Sequence, residues 1–315
     1  IETIYPSSEF PGTRFINNLT GYVPDNLSTP VDLPAPSLRR IITGYRGRPL
    51  PLWYGQLGSE KVFVGQLFKK YCLQHHICHD IEWAEKTRIY GPAWYEFIAS
   101  CRSMLGSESG TNVFDWDGTL ASQIVAFKQQ YPTANDSEIY SSVIEQYEQH
   151  GLMNQISPRI FESIALRTVL VLFEGEYSGI LSPGVHFIPL KKDGSNLNKV
   201  FRLLSDSTFV DEMAARAYDD IILSGKYSYQ SFVKMVDEEL SKSFVEPTLK
   251  TKSSLTDVNS NPTPITTCPL RALPPYEALQ RAGFLKRNVY RAWGLIPEKT
   301  RKKIKPLLYK LWNKE

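Results

Sequence analysis

Between Thr168 and Phe173 the chain reads Thr-Val-Leu-Val-Leu-Phe, apolar and β-branched with no polar alternation. A strand of this kind is buried on both faces, the condition met by a parallel sheet with helices on each side. The residues before it supply one of those helices. Ser157 stands as N-cap with Pro158 at the first helical position; Ile160, Phe161 and Ile164 point inward, and the helix ends near Arg167. The strand empties into Glu174-Gly175-Glu176, and ligands of open α/β sheets sit beyond the carboxyl ends of the strands. Residues 155–196 are therefore the expected site.

Two other segments have the same form. Arg40 to Tyr45 reads as a strand that opens into a glycine-punctuated loop, and from Val62 to Cys72 apolar residues recur at helical spacing. Such a junction offers backbone N–H groups to an anion, and Arg46, Arg48 and Lys61 add side-chain charge. The loop carries neither GxxxxGK[ST] nor GxGxxG, so nucleotide hydrolysis and simple dinucleotide binding are not indicated. Further on, a helix with Trp94, Phe97, Ile98 and Cys101 on one face leads through Met104-Leu105 into Gly106-Ser-Glu-Ser-Gly-Thr-Asn. That small polar loop also falls at a strand's carboxyl end. Glu108, Ser109 and Gly110 join the candidates there.

The succession "RIYGPAWYEFIASCRSMLGSESGTNVFDWDG", "FESIALRTVLVLFEGE" and "HFIPLKKD" resembles the nucleotide-sugar-binding domain of GT-B glycosyltransferases. The likeness is to the group-one enzymes of bacterial surface-polysaccharide clusters and their CgeB-like branch, and runs from about Arg40 to Leu240. It implies a Rossmann-like α/β fold, a parallel sheet with helices on both faces forming one half of a GT-B enzyme. The implied activity is transfer of a sugar from a nucleotide-sugar donor to a polysaccharide or lipid-linked acceptor, with the donor as co-substrate and no further cofactor or metal. In the family's helix motif, roughly R-x-F-E, the glutamate lies against the donor's ribose, and the matching residues are Arg159 and Glu162. An Arg and a Lys after the first strand hold the donor's phosphates, which here implies Arg48 and Lys61. The GxESG loop lies in the donor cleft, which implies Glu108, Ser109 and Gly110, and Glu174 follows the strand beyond. The commoner retaining pattern has a second glutamate eight positions before the ribose glutamate; Asn154 stands there. With one such domain evident and Ile1 in place of Met at the start, the acceptor half is expected upstream.

Two other chemistries have partial signals. Val113-Phe-Asp-Trp-Asp-Gly-Thr-Leu matches the haloacid-dehalogenase phosphatase motif, with Asp115 as nucleophile, Asp117 as acid/base and magnesium as partner. That motif follows a buried apolar strand, whereas residues 107–112 are polar and glycine-broken. Cys72, His75, His76, Cys78 and His79 crowd together, but one dense cluster across a helix end and a strand lacks the two separated ligand pairs of a structural zinc site. A non-catalytic domain that binds nucleotide sugar or only membrane is the third reading.

Composition and charge divide the chain. Residues 1–39, rich in Pro, Ser, Asn and Thr, read as an N-terminal connector or interdomain segment, and 40–245 as the α/β domain. Within that domain, 135–149 is expected to be one amphipathic helix, and helices are expected over 197–204, 208–218 and 229–240, with Ser207 and Ser228 as N-caps. Residues 246–275 form a Ser/Thr/Asn/Pro linker, and 276–315 a basic tail. From Arg281 to Glu315 eleven Lys/Arg face two acids, +9, which leaves −6 for residues 1–280 of a chain with net charge +3. Ile304, Leu307, Leu308, Leu311 and Trp312 form a helical stripe opposite the lysines, suited to an anionic membrane surface; no basic-aromatic platform for nucleic acid accompanies it. No run of about 18 apolar residues and no leader is evident, and four irregularly spaced cysteines suit a reducing compartment, so the expected location is cytoplasmic, peripheral on the inner face of the plasma membrane.

Overall fold

The computed structural model describes residues 4–27, 32–115 and 117–243. The expected linker and basic tail, 246–315, lie outside the described residues. Five parallel strands make one sheet: β1 (Ile41–Arg46), β2 (His79–Glu82), β3 (Cys101–Gly106), β4 (Val169–Phe173) and β5 (Phe187–Leu190), in the order β2-β1-β3-β4-β5. All five residues of β4 are buried, as a strand apolar on both faces requires. The two faces separate cleanly along it. Leu170 and Leu172 join the core under helices α2 (Pro92–Ser100) and α5 (Pro158–Ala165), whereas Val169, Val171 and Phe173 join the one under α1 (Gly55–Gln74), α6 (Leu197–Ser205) and α7 (Ser207–Ala217). The fold is a doubly wound, Rossmann-like α/β sheet with helices on both faces.

Between β3 and α5 the chain inserts α3 (Thr119–Gln130) and α4 (Asp136–Ile139) around a small core of their own, containing Val113, Leu120, Ile124, Ile139 and Ile144. The single helix expected over 135–149 is broken. Asn135 and Glu138 form a capping box that starts α4, but Tyr140–Ile144 widens to a π turn and Glu145–Tyr147 tightens to a 3₁₀ turn. Ile139 and Ile144 both enter this small core, and five residues of regular α-helix would rotate them well apart; the wider turn keeps them on one side.

Two other boundaries differ from expectation, and a third agrees with it. Helix α1 begins at Gly55, a full two turns before Val62, because the Glu148 carboxylate accepts Gln56 N–H at 3.0 Å with both oxygens and satisfies the helix start from across the chain. Asp206, not Ser207, caps α7, taking Phe209 N–H at 3.1 Å. Ser228 does precede the last described helix, α8 (Tyr229–Ser243), and its hydroxyl accepts Ser231 N–H at 3.1 Å.

The N-terminal residues are packed onto this domain. Val23 donates its N–H to Tyr227 O at 2.8 Å, and both Val23 and Leu27 belong to the core. Arg39, 4 % exposed, spreads its guanidinium over Pro34 O, Cys101 O, Leu166 O and the Thr168 hydroxyl. Among the described residues no helix is long and apolar enough to cross a membrane.

Candidate functional site

In this strand order the crossovers leave β1 and β3 toward opposite edges of the sheet, so a crevice opens between their carboxyl ends. A cavity of about 60 Å³ lies there, lined by Tyr45, Arg48, Lys61, Ser107, Ser157 and Arg159. Arg48 and Arg159 also line an adjoining open cleft of about 390 Å³, together with Arg46, Arg88, Trp94 and Glu162. Four of the residues singled out from sequence, Arg48, Lys61, Arg159 and Glu162, thus meet around one crevice at the switch point.

Each cation is held differently. Lys61, on α1, donates from Nζ to Glu108 O at 3.1 Å and to Ser109 Oγ at 3.2 Å. Burial, reinforced by the nearby Arg159 and opposed by Glu60, lowers its pKa to about 8. Arg159 lies 5.0 Å over the Tyr45 ring and 5.3 Å over the Trp94 ring, and donates to Arg46 O at 2.7 Å. Arg48 is exposed and has no hydrogen-bond or ion-pair partner among the described residues. Arg46, by contrast, is engaged within the fold: it pairs with Asp80 at 2.8 Å, donates to Thr87 O and Asp80 O, and lies 4.3 Å over the Phe97 ring. The crevice therefore presents three cations to a space with no paired carboxylate, an arrangement that attracts an anion.

Glu162 adds the polar counterpart. On the last turns of α5, its Oε2 accepts the Trp94 indole N–H at 2.7 Å, which fixes the carboxylate at the mouth of the cleft. Its Oε1 has no partner among the described residues and can accept from a hydroxyl. Trp94 reads in the sequence only as part of an apolar helix face. The available signal is that an indole N–H brought under cover needs an acceptor. Ser157 precedes α5 as expected, but its side chain makes no capping bond and instead lines the cavity.

The remaining candidates do not face this crevice with their side chains. Glu108 is 6 % exposed, and its carboxylate is turned inward to accept Asn154 Nδ2 at 2.6 Å and Tyr177 N–H at 2.7 Å. Only its carbonyl meets Lys61. Ser109 contributes its hydroxyl to Lys61 and exchanges backbone bonds with Gln155. Gly110, at φ +109°, lies so close to Met153 that an added Cβ would fall 1.9 Å from its carbonyl oxygen. Glu174 is exposed at the end of β4 and lines neither cavity.

The phosphatase-like motif serves another purpose. Asp115 accepts Leu120 N–H at 3.0 Å and Ala121 N–H at 2.9 Å, and Asp117 accepts Thr119 N–H at 2.9 Å, so both carboxylates cap α3. The hydrogen bonds to Thr119 hold the Asp117 carboxyl below its usual range. No strand precedes them; β3 ends at Gly106. In the Cys/His cluster, Cys72 is buried in the core while His75 stacks on Tyr71 at 4.1 Å, so the two side chains diverge.

No protein-family model matches the chain, and no curated protein matches it. Among solved structures it is similar to the crystal structure of TarM, at 13% identity and a TM-score of 0.29 over 64% of this chain. The match spans about a third of TarM's own length, 34%. A likeness of that size carries no argument about activity. Fold and site together define a doubly wound α/β protein with a cationic crevice at its switch point.

Proposed function

We propose that this domain binds the donor of a glycosyltransferase, a nucleotide sugar, and that the protein transfers its sugar to a polysaccharide or lipid-linked acceptor. The observation that carries the reading is the meeting of Arg48, Lys61 and Arg159 with the Trp94-oriented Glu162 around one crevice. A diphosphate requires several cations brought close together, and a ribose requires a hydroxyl acceptor a few ångströms away. In this reading Lys61 and Arg159 bind the diphosphate inside the crevice, Arg48 closes over it from the exposed side, and Glu162 Oε1 accepts a ribose hydroxyl. Trp94, Tyr90 and Tyr95 line the outer cleft as surfaces for a base.

The capping roles of Asp115 and Asp117 favour this reading over the phosphatase, because they give both carboxylates a structural purpose at the start of α3, well past the end of β3 at Gly106. Calorimetry with UDP-, GDP- and CDP-sugars tests the proposal: at least one should bind, and Lys61→Ala with Arg159→Ala should abolish the binding while the protein remains folded. Absence of binding to every one of them, or magnesium-dependent phosphatase activity lost in Asp115→Asn, would overturn it. The basic tail extends the proposal to an anionic membrane surface at which lipid-linked acceptors reside.

A further inference from the structure

A second cleft, of about 500 Å³, opens on the other side of the α5 N-terminus, between the N-terminal segment and α8. Its chemistry is the reverse of the cationic crevice. Amides of Asn17, Asn18 and Gln155 and the hydroxyl of Ser231 line it, with the rings of Tyr22, Tyr227 and Phe232 between them. Among the described residues Lys226 is the one charged residue in the lining, and no carboxylate belongs to it. The side-chain amides of Asn17 and Gln155 make no hydrogen bond among the described residues.

The walls of this cleft are tied down. Tyr22 gives its hydroxyl to Asn18 Oδ1 at 2.6 Å and packs 4.9 Å from the Phe232 ring; Tyr227 lies 5.7 Å from Phe161 of the core. At the back, Asn154 spends its N–H on Glu108, and its Oδ1 is buried with no partner among the described residues. A buried acceptor left unpaired costs free energy that a donor hydroxyl would restore.

We propose that this cleft binds an uncharged saccharide. Amides present donors and acceptors together, as sugar hydroxyls do, and aromatic faces pack against the C–H face of a pyranose ring. A near-neutral lining excludes the phosphate chemistry that the crevice selects. Asn154 and Gln155 belong to the segment that pairs with Ser109, whose hydroxyl holds Lys61, so the two sites share a wall. The binding itself is independent of the donor reading; the role that follows from it, seating a neutral glycan acceptor, rests on that reading.

The test titrates the isotopically labelled full chain with chitotetraose and cellotetraose, using tetragalacturonate as the anionic control. The neutral sugars should shift the amide signals of residues 17–22, 154–155 and 226–232. Asn17→Ala and Gln155→Ala should each weaken binding by roughly fivefold, the effect of one neutral hydrogen bond. No shift with either neutral sugar, preference for tetragalacturonate, or indifference of folded variants would overturn the proposal, and the wild-type shift map decides by itself if a variant does not fold. UDP, GDP and CDP titrated into the same sample separate the two readings. Sugar binding without nucleotide binding removes the acceptor role and the donor reading but leaves the saccharide site standing; nucleotide binding without sugar binding removes the saccharide site alone.

Discussion

Trp94 donates its indole N–H to Glu162 across 68 positions of sequence, and this one bond joins α2 to α5 at the mouth of the crevice. It leaves one carboxylate oxygen for a ligand and holds it in place. A hydrogen bond from a hydroxyl to that charged oxygen contributes roughly 1.5–3 kcal/mol. Glu162→Ala should weaken nucleotide-sugar binding by that amount in calorimetry, and Trp94→Phe, which removes the orienting bond but keeps an aromatic ring in the cleft, by about 1 kcal/mol. Unchanged affinity in folded Glu162→Ala would show that this carboxylate does not contact the donor.

Binding should also depend on pH through Lys61. With its pKa lowered to about 8 in the free protein, the ammonium is present at neutral pH and is lost as pH rises through that value. A bound anion stabilises the charged form and moves the midpoint upward, so affinity for a nucleoside diphosphate should fall across a window that opens near 8. The same shift acts on the fold with the opposite sign. The unfolded chain holds this proton more tightly, so Lys61 lowers stability below about 8, and the penalty fades as pH climbs toward the ordinary value of 10.5. Lys61→Arg should flatten the binding profile between neutral pH and the window's upper end; a profile as steep as the wild type's would assign the titration to another group.

Gly110 was singled out for a ligand, and its surroundings give it a backbone role. A side chain there meets Met153 O and requires a strained positive φ. Gly110→Ala should cost about 2–3 kcal/mol in chemical denaturation. Loss of nucleotide affinity at undiminished stability would return the residue to the site.

What the sequence disclosed and what it hid differ in a physical way. Strand β4 was legible because five apolar residues in a row need cover on both sides. Arg48, Lys61 and Arg159 were legible as cations following strand ends or opening a helix. Whatever depends on a distant partner was not. The cap of α1 comes from Glu148, 92 positions away, and the Glu108 carboxylate turns from the crevice because Asn154 and Tyr177, 46 and 69 positions on, draw it inward. Composition made residues 1–39 look like a connector, since Pro, Ser and Asn dominate it. The few residues that anchor it, Val23, Leu27 and Arg39, are too sparse to form a periodic signal.

Arg39 tests that anchoring. Its guanidinium spans Cys101 O on β3 and Leu166 O with the Thr168 hydroxyl just before β4, and burial lowers its pKa to about 10. Arg39→Ala removes the donor that these three buried acceptors share and should destabilise the protein by about 3 kcal/mol in denaturant titrations. A loss below about 1 kcal/mol would mean that water replaces the guanidinium at little cost.

The tail carries the last prediction. Its +9 charge, against −6 for the rest of the chain, and the helical spacing of the apolar residues from Ile304 to Trp312 in its sequence motivate a test on anionic bilayers. Each basic residue near such a surface contributes about 1 kcal/mol, and the attraction falls off within a Debye length of about 8 Å at physiological salt. The full chain should pellet with vesicles containing phosphatidylserine and be released by raised salt, and removal of residues 281–315 should abolish the pelleting. Retention of binding in the truncated protein, or equal binding to vesicles of neutral lipid alone, would assign the contact to another surface. Insensitivity to salt would show that the apolar stripe, rather than the charge, holds the protein on the membrane.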